Sequence, residues 1–215
     1  MKNVLLIGDS IRMGYENYVR DAFSGVAEIK APEGNCRYAL QVLRYAHEWR
    51  KYFTCTPEEV DIVHWNAGLW DVLRMYGDEP LTPVEFYANL IKRIDTRLRL
   101  LFPNAKIIFA TSTNVQQEKY GEKLKRLNSD IIAYNNAALE VLKDTDTIIN
   151  DLYAFTKDIP DSCRSDMTHF NTPDGVKAMG GKIVATLCKE LGVDPSELAV
   201  PDAIPPEISA QVLGF

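Results

Sequence analysis

Asn3-Val4-Leu5-Leu6-Ile7-Gly8-Asp9-Ser10-Ile11-Arg12-Met13-Gly14 is the stretch that decides the fold. Asn3 to Ile7 carries an unbroken apolar run, as expected for a strand buried on both faces of a parallel sheet. Gly8-Asp9 breaks the run, and an amphipathic helix over Ile11 to Phe23 follows at once. A strand that turns directly into a helix is the first half of a βα unit. It puts the Ser10 hydroxyl at a helix N-terminus, where the dipole and free backbone N–H groups favour developing negative charge. Read by themselves, Asp9 and Ser10 are equally well explained as helix N-caps.

The same alternation continues along the chain. Strands are predicted at Ala27 to Lys30, Asp61 to Trp65, Lys106 to Ala110 and Thr147 to Ile149. Helices are predicted over Arg37 to Tyr52, Pro83 to Leu101, Leu124 to Lys143 and Pro173 to Leu191. Thr82-Pro83 and Thr172-Pro173 each offer an N-cap hydroxyl followed by proline at the first helical position. Alternating strands and helices predict an α/β domain with a parallel sheet over residues 1–192. Residues 193–215, with Pro195, Pro201, Pro205 and Pro206, read as a tail laid on the same domain or on a neighbouring subunit, which leaves a homo-oligomer open. Two long connections, Thr111 to Lys123 and Asp151 to Asn171, follow the fourth and fifth strands and open on the sheet edge where α/β proteins bind ligands.

Composition narrows the function classes. The 215 residues carry a net charge of -6 and no dense basic run, which argues against nucleic acid as a partner. No segment reaches the length of a membrane span, and the apolar run at the start is too short for a signal peptide. Cys36, Cys55, Cys163 and Cys188 lie far apart with no Cys-x-x-Cys spacing, so thiols in a reducing, cytoplasmic setting are expected. Three histidines without metal-ligand spacing predict no metal site. The turn after the first strand lacks both the P-loop lysine and the G-x-G-x-x-G fingerprint, so no nucleotide, flavin or other cofactor is expected.

The remaining chemistry lies in Ser165-Asp166-Met167-Thr168-His169-Phe170-Asn171. A carboxylate three residues before an imidazole supplies what a nucleophilic serine needs. The imidazole takes the hydroxyl proton, and the carboxylate holds the other ring nitrogen in the right tautomer. An isolated Asp-x-x-His has little specificity, since His169 reads equally as a satisfied surface histidine. His47, in a helical stretch, and His64, inside a strand, are read as packing residues.

Gly8-Asp9-Ser10-Ile11 and Asp166-Met167-Thr168-His169, in this order, resemble the first and last sequence blocks of the SGNH (GDSL-like) hydrolases. The resemblance covers most of residues 3–190. It implies a flavodoxin-like three-layer α/β/α sandwich with five parallel strands in the order 2-1-3-4-5. It further implies a Ser10–His169–Asp166 triad, and an oxyanion hole from the Ser10 N–H, the Gly34 N–H and an asparagine amide. The third block departs from the family's Gly-x-Asn-Asp. Asn66-Ala67-Gly68-Leu69-Trp70-Asp71 puts Trp70 where the asparagine is expected, and the amide is assigned to Asn66, whose competing reading is a strand-end turn residue. Trp70 either packs in the core or lines the pocket. Asp9, Trp70 and Asn114 are assigned to substrate binding, with Gln116 near the same rim. The resemblance implies hydrolysis of a carboxylic ester, with a short acyl group, such as acetyl on a sugar, as the expected small-molecule substrate. The disturbed third block motivates an alternative, a ligand-binding or assembly protein that keeps the fold without turnover.

Overall fold

The computed structural model describes residues 1–52 and 55–207. In chain order the strands are β1 (Lys2–Ile7), β2 (Ala27–Lys30), β3 (Ile62–Trp65), β4 (Arg74–Met75), β5 (Lys106–Ala110), β6 (Leu124–Lys125) and β7 (Ile148–Asn150). The helices are α1 (Ser10–Ala22), α2 (Ala39–Trp49), α3 (Val84–Leu101), α4 (Asn128–Leu142), α5 (Leu152–Lys157) and α6 (Pro173–Leu191). Five strands form one parallel sheet in the order β2-β1-β3-β5-β7, the order 2-1-3-4-5 among the principal strands. Helices α1 and α6 pack together, and α2, α3 and α4 form the second helical layer.

Hydrophobic patterning explains the placement. Val4, Leu5, Leu6 and Ile7 are wholly buried because β1 lies between two strands and under helices on both faces. The edge strand β2 buries Ala27 and Ile29 and leaves Glu28 and Lys30 partly open, as one-sided packing requires. β3 is buried throughout, His64 included. Burial holds the His64 pKa down at about 4, so its ring is neutral near pH 7, with Nε2 3.2 Å from the Asn150 amide. It is a core residue.

Three sequence expectations are corrected. The helix predicted from Leu124 begins at Asn128, because Leu124–Lys125 pair antiparallel with Arg74–Met75 in a separate two-stranded sheet. The Arg74 guanidinium clamps both carboxylate oxygens of Asp130 at 2.7 and 3.2 Å, tying this two-stranded sheet to the first turn of α4. Thr82 does not cap α3 with its side chain; its hydroxyl is turned to Asp71. The second helix starts at Ala39 rather than Arg37, because Arg37 sits in the left-handed region at φ 46°. Thr172 does cap α6, accepting from the Gly175 N–H at 3.1 Å, and Gly192 closes that helix at φ 69°. Beyond it, Leu198 packs against the core and the Ala199 N–H donates to the Ala22 carbonyl at 3.1 Å. Residues 208–215 of the expected tail fall outside those described.

Candidate active site

The turn after β1 separates two roles that the sequence left entangled. Asp9 is the N-cap of α1: its carboxylate accepts from the Ile11 N–H at 3.0 Å and its carbonyl from the Met13 N–H at 3.2 Å. Ser10 is the first helical residue, and its hydroxyl is left for another partner. That partner is His169, whose Nε2 lies 2.8 Å from Ser10 Oγ. On the far side of the ring, Nδ1 is 2.8 Å from Asp166 Oδ2 and 3.0 Å from Oδ1. Asp166 Oδ1 also accepts from the Thr168 and His169 N–H groups at 2.7 and 2.9 Å. Partial burial pushes the Asp166 pKa up, but bonding to His169, its charge and the two N–H donors outweigh burial and hold it below the ordinary range. An ionised Asp166 places the ring proton on Nδ1 and leaves Nε2 to accept from the serine hydroxyl.

The loop carrying Asp166 and His169 is braced from several sides. The Ser165 N–H donates to the His169 carbonyl at 3.0 Å, and the Gln116 N–H donates to the Met167 carbonyl at 2.9 Å. The Tyr120 hydroxyl meets that of Thr168, and the Arg164 guanidinium lies 4.4 Å from the centre of the Phe170 ring. Gly175 is required here, since a Cβ would come within 2.0 Å of the Cys163 carbonyl oxygen. Asn114 and Gln116, expected at the substrate rim, serve this bracing. The Asn114 side-chain carbonyl accepts from Arg164, and the Gln116 amide donates to Asp161 at 2.8 Å.

The loops from β2 and β3 complete the surroundings of Ser10. Register pairs Ile7 with Trp65, so Gly8 and Asn66 emerge side by side. A Cβ on Gly8 would stand 2.1 Å from Asn66 Oδ1, which explains the glycine there. The Cys36 N–H donates to the Gly8 carbonyl at 3.1 Å and docks the Gly34 loop against β1. Arg12, wholly buried on α1, donates to the Gly34 carbonyl at 2.6 Å and pairs with Glu16. Nothing lies within 4 Å of where a Gly34 side chain would be, so that face of its peptide is open. Trp70 is nearly buried, edge-on to Tyr38 at 5.5 Å between ring centres, with the Arg37 guanidinium over its ring at 5.3 Å.

Asp9, expected to touch substrate, is fully buried, and this burial raises its pKa against the pull of the Ile11 N–H and the Asn66 side chain. It caps the helix from the interior. The sequence reading missed Arg12, Arg126, Tyr120 and Thr168. Arg126 is buried and donates to the Leu69 carbonyl at 2.6 Å and the Tyr120 hydroxyl at 3.3 Å, joining the third block to the His169 loop. The pairing of Arg12 with Glu16 one helical turn on was the only one of these signals visible in the chain. Among the described residues no group of acidic, histidine and cysteine side chains could hold a metal ion, and no helix is long and apolar enough to cross a membrane.

Sheet order and strand-end placement define a flavodoxin-like fold, at whose strand ends Ser10, His169 and Asp166 form the hydrogen-bonded chain that serine hydrolysis needs. No family model and no curated protein sequence matches the chain. Solved structures do. A lipase/acylhydrolase from Enterococcus faecalis superposes with TM-score 0.68 at 16% identity, covering 94% of this chain and 99% of its own. A carbohydrate esterase family 3 protein from Talaromyces cellulolyticus gives 0.64 at 17% identity over 90% of this chain and all of its own. An acetyl xylan esterase from Geobacillus stearothermophilus gives 0.63 at 16% identity, over 90% and 95%. The protein has the SGNH (GDSL-like) hydrolase fold, with the expected first and last blocks at the expected strand ends.

Proposed function

We propose that this protein is a serine esterase that removes a short acyl group, such as acetyl, from a carbohydrate. The observation that carries the reading is the unbroken hydrogen-bond chain from Ser10 Oγ through His169 to the Asp166 carboxylate, at 2.8 Å on each side of the ring. His169 Nε2 takes the hydroxyl proton as Ser10 Oγ bonds to the ester carbonyl carbon. The negative oxygen is met by the Ser10 N–H at the start of α1, the Gly34 N–H and the Asn66 amide. Collapse of the tetrahedral intermediate expels the alcohol, which carries off the proton from His169. Water then attacks the acyl-serine with His169 again as base, releasing the acid and restoring the hydroxyl. Asp166 stays ionised throughout and stabilises the imidazolium that forms in each half-reaction.

The acetyl and carbohydrate assignment draws support from the acetyl xylan and carbohydrate esterases that share the fold. A groove of about 700 Å³ between the N-terminal ends of α2 and α3, lined in part by Tyr38, Gln41, Tyr45 and Phe86, offers rings and an amide of the kind that receive sugars. The test is release of p-nitrophenol from p-nitrophenyl acetate by the wild type, Ser10→Ala and His169→Ala, with circular dichroism verifying that all three fold. Turnover that both substitutions abolish is the expected result. A folded Ser10→Ala protein that matches the wild type would overturn the assignment.

A further inference from the structure

We propose that Arg37 recognises a carboxylate carried close to the scissile bond, so that the natural substrate is an ester of an acidic molecule such as a sugar acid. This rests on the esterase reading above. The position of Arg37 follows from how two loops meet. β2 and β3 flank β1, and the loops leaving their carboxyl ends join across the end of β1. The Cys36 N–H is bonded to the Gly8 carbonyl, the Asp71 carboxylate accepts from the Ala39 N–H at 3.1 Å, and Tyr38 packs edge-on against Trp70. Arg37 lies between these anchors in the chain, next to Cys36, whose N–H is bonded to the Gly8 carbonyl two residues before Ser10.

Among the described residues its side chain has no partner for its charge. Arg12, Arg74, Arg99, Arg126 and Arg164 all donate to carboxylates or carbonyls. The Arg37 guanidinium has Nε buried and unpartnered, and among the described residues its only contact of note is the Trp70 ring 5.3 Å away. The backbone at φ 46° is a conformation that L side chains avoid, and such conformations persist where surrounding structure enforces them, often at functional sites.

Chemistry selects the ligand. A guanidinium stacked on an aromatic face is already oriented, so less side-chain freedom is lost when it takes up both oxygens of a carboxylate. Trp70 supplies that face. The groove that Tyr38, the residue after Arg37, helps to line leaves space for the rest of a sugar.

The decisive pair of substrates shares one ring, one anomeric O-methyl group and one acetyl group and differs only at C6: an acetylated methyl galactoside and the equally acetylated methyl glycoside of galacturonate. Acetate release is followed for the wild type, Arg37→Gln and Arg37→Lys. The wild type is expected to prefer the acid by about 10- to 100-fold in kcat/KM, the range for a hydrogen bond to a charged group. Arg37→Gln should lose that preference with unchanged turnover of the neutral ester, and Arg37→Lys should retain part of it. Equal wild-type rates on the two esters overturn the proposal, as does an Arg37→Gln loss that falls equally on both, which would make Arg37 an oxyanion donor. Calorimetry of galacturonate against galactose on Ser10→Ala reads binding without turnover. Preferential binding of the acid that Arg37→Gln abolishes supports the site even if no ester is hydrolysed, and equal binding of both sugars overturns it while leaving the esterase reading intact.

Discussion

Asp71→Asn is expected to flatten the pH dependence of stability, and the size of the effect follows from the burial of one carboxyl group. Asp71 is wholly buried where the α2 loop meets the loop after β3. Burial pushes its pKa up from 3.8 to about 6, against the pull of the Ala39 N–H and the Thr82 hydroxyl, and the neighbouring Asp9 adds to the rise. The folded state therefore holds the Asp71 proton more tightly than the unfolded chain does. Its stabilising contribution is complete below about pH 4 and is lost as the pH rises through about 6. A gap of about two units, at about 1.4 kcal/mol each, amounts to about 3 kcal/mol between pH 4 and pH 7.5. An asparagine is neutral throughout, and its carbonyl can accept from Ala39 while its amide faces Thr82. The stability of Asp71→Asn relative to wild type should thus rise by about 3 kcal/mol over that interval. In urea, with a slope of about 2 kcal/mol per molar, the relative midpoint moves by about 1.5 M. Far-UV circular dichroism melts of both proteins at several pH values provide the measurement. Parallel pH curves would refute the reasoning, because they would mean that Asp71 ionises as easily in the fold as in the unfolded chain.

Three further substitutions probe the site from other directions. Asn66→Ala should lower kcat about 100- to 1000-fold with little change in KM, as for loss of one oxyanion donor; near-normal turnover of a folded variant would remove Asn66 from the oxyanion hole. Arg12→Met removes the buried donor to the Gly34 carbonyl and leaves Glu16 without its partner. Urea melts should show a loss of about 3–5 kcal/mol, and kcat should fall further than KM changes; an unchanged midpoint contradicts this account. Gly175→Ala forces a methyl group against the Cys163 and Phe170 carbonyls. It should cost about 3 kcal/mol or more and slow turnover by displacing His169, whereas a thermal midpoint within a degree of wild type would show that the loop yields freely.

The principal sheet was legible because its signal is local. An unbroken apolar run such as Val4 to Ile7 has no stable place except a doubly covered strand, and the residues after it start a helix. The triad residue types were legible for a related reason, since Asp166 and His169 share one short loop and meet through a local hydrogen-bonded turn. The two-stranded sheet was hidden. Leu124 and Lys125 have no strand signal of their own and become extended only because Arg74 and Met75 lie opposite them. Leu124 continues smoothly into the helical pattern of α4, so local propensity pointed the other way.

By itself the sequence determined which residues could form strands and helices, and which few could supply a nucleophile, a base and its carboxylate. These properties are set within a few residues of one another. Tertiary structure alone decided which residue caps α1 and which meets the imidazole, because Ser10 and His169 are 159 positions apart and the 2.8 Å between them depends on where β1 and the α6 loop come to lie. It decided equally that Asp9 is buried, that Arg12 reaches the Gly34 carbonyl, and that Arg37 stands over Trp70. Contacts of this kind depend on the closing of long loops around a packed sheet, and no local periodicity encodes them.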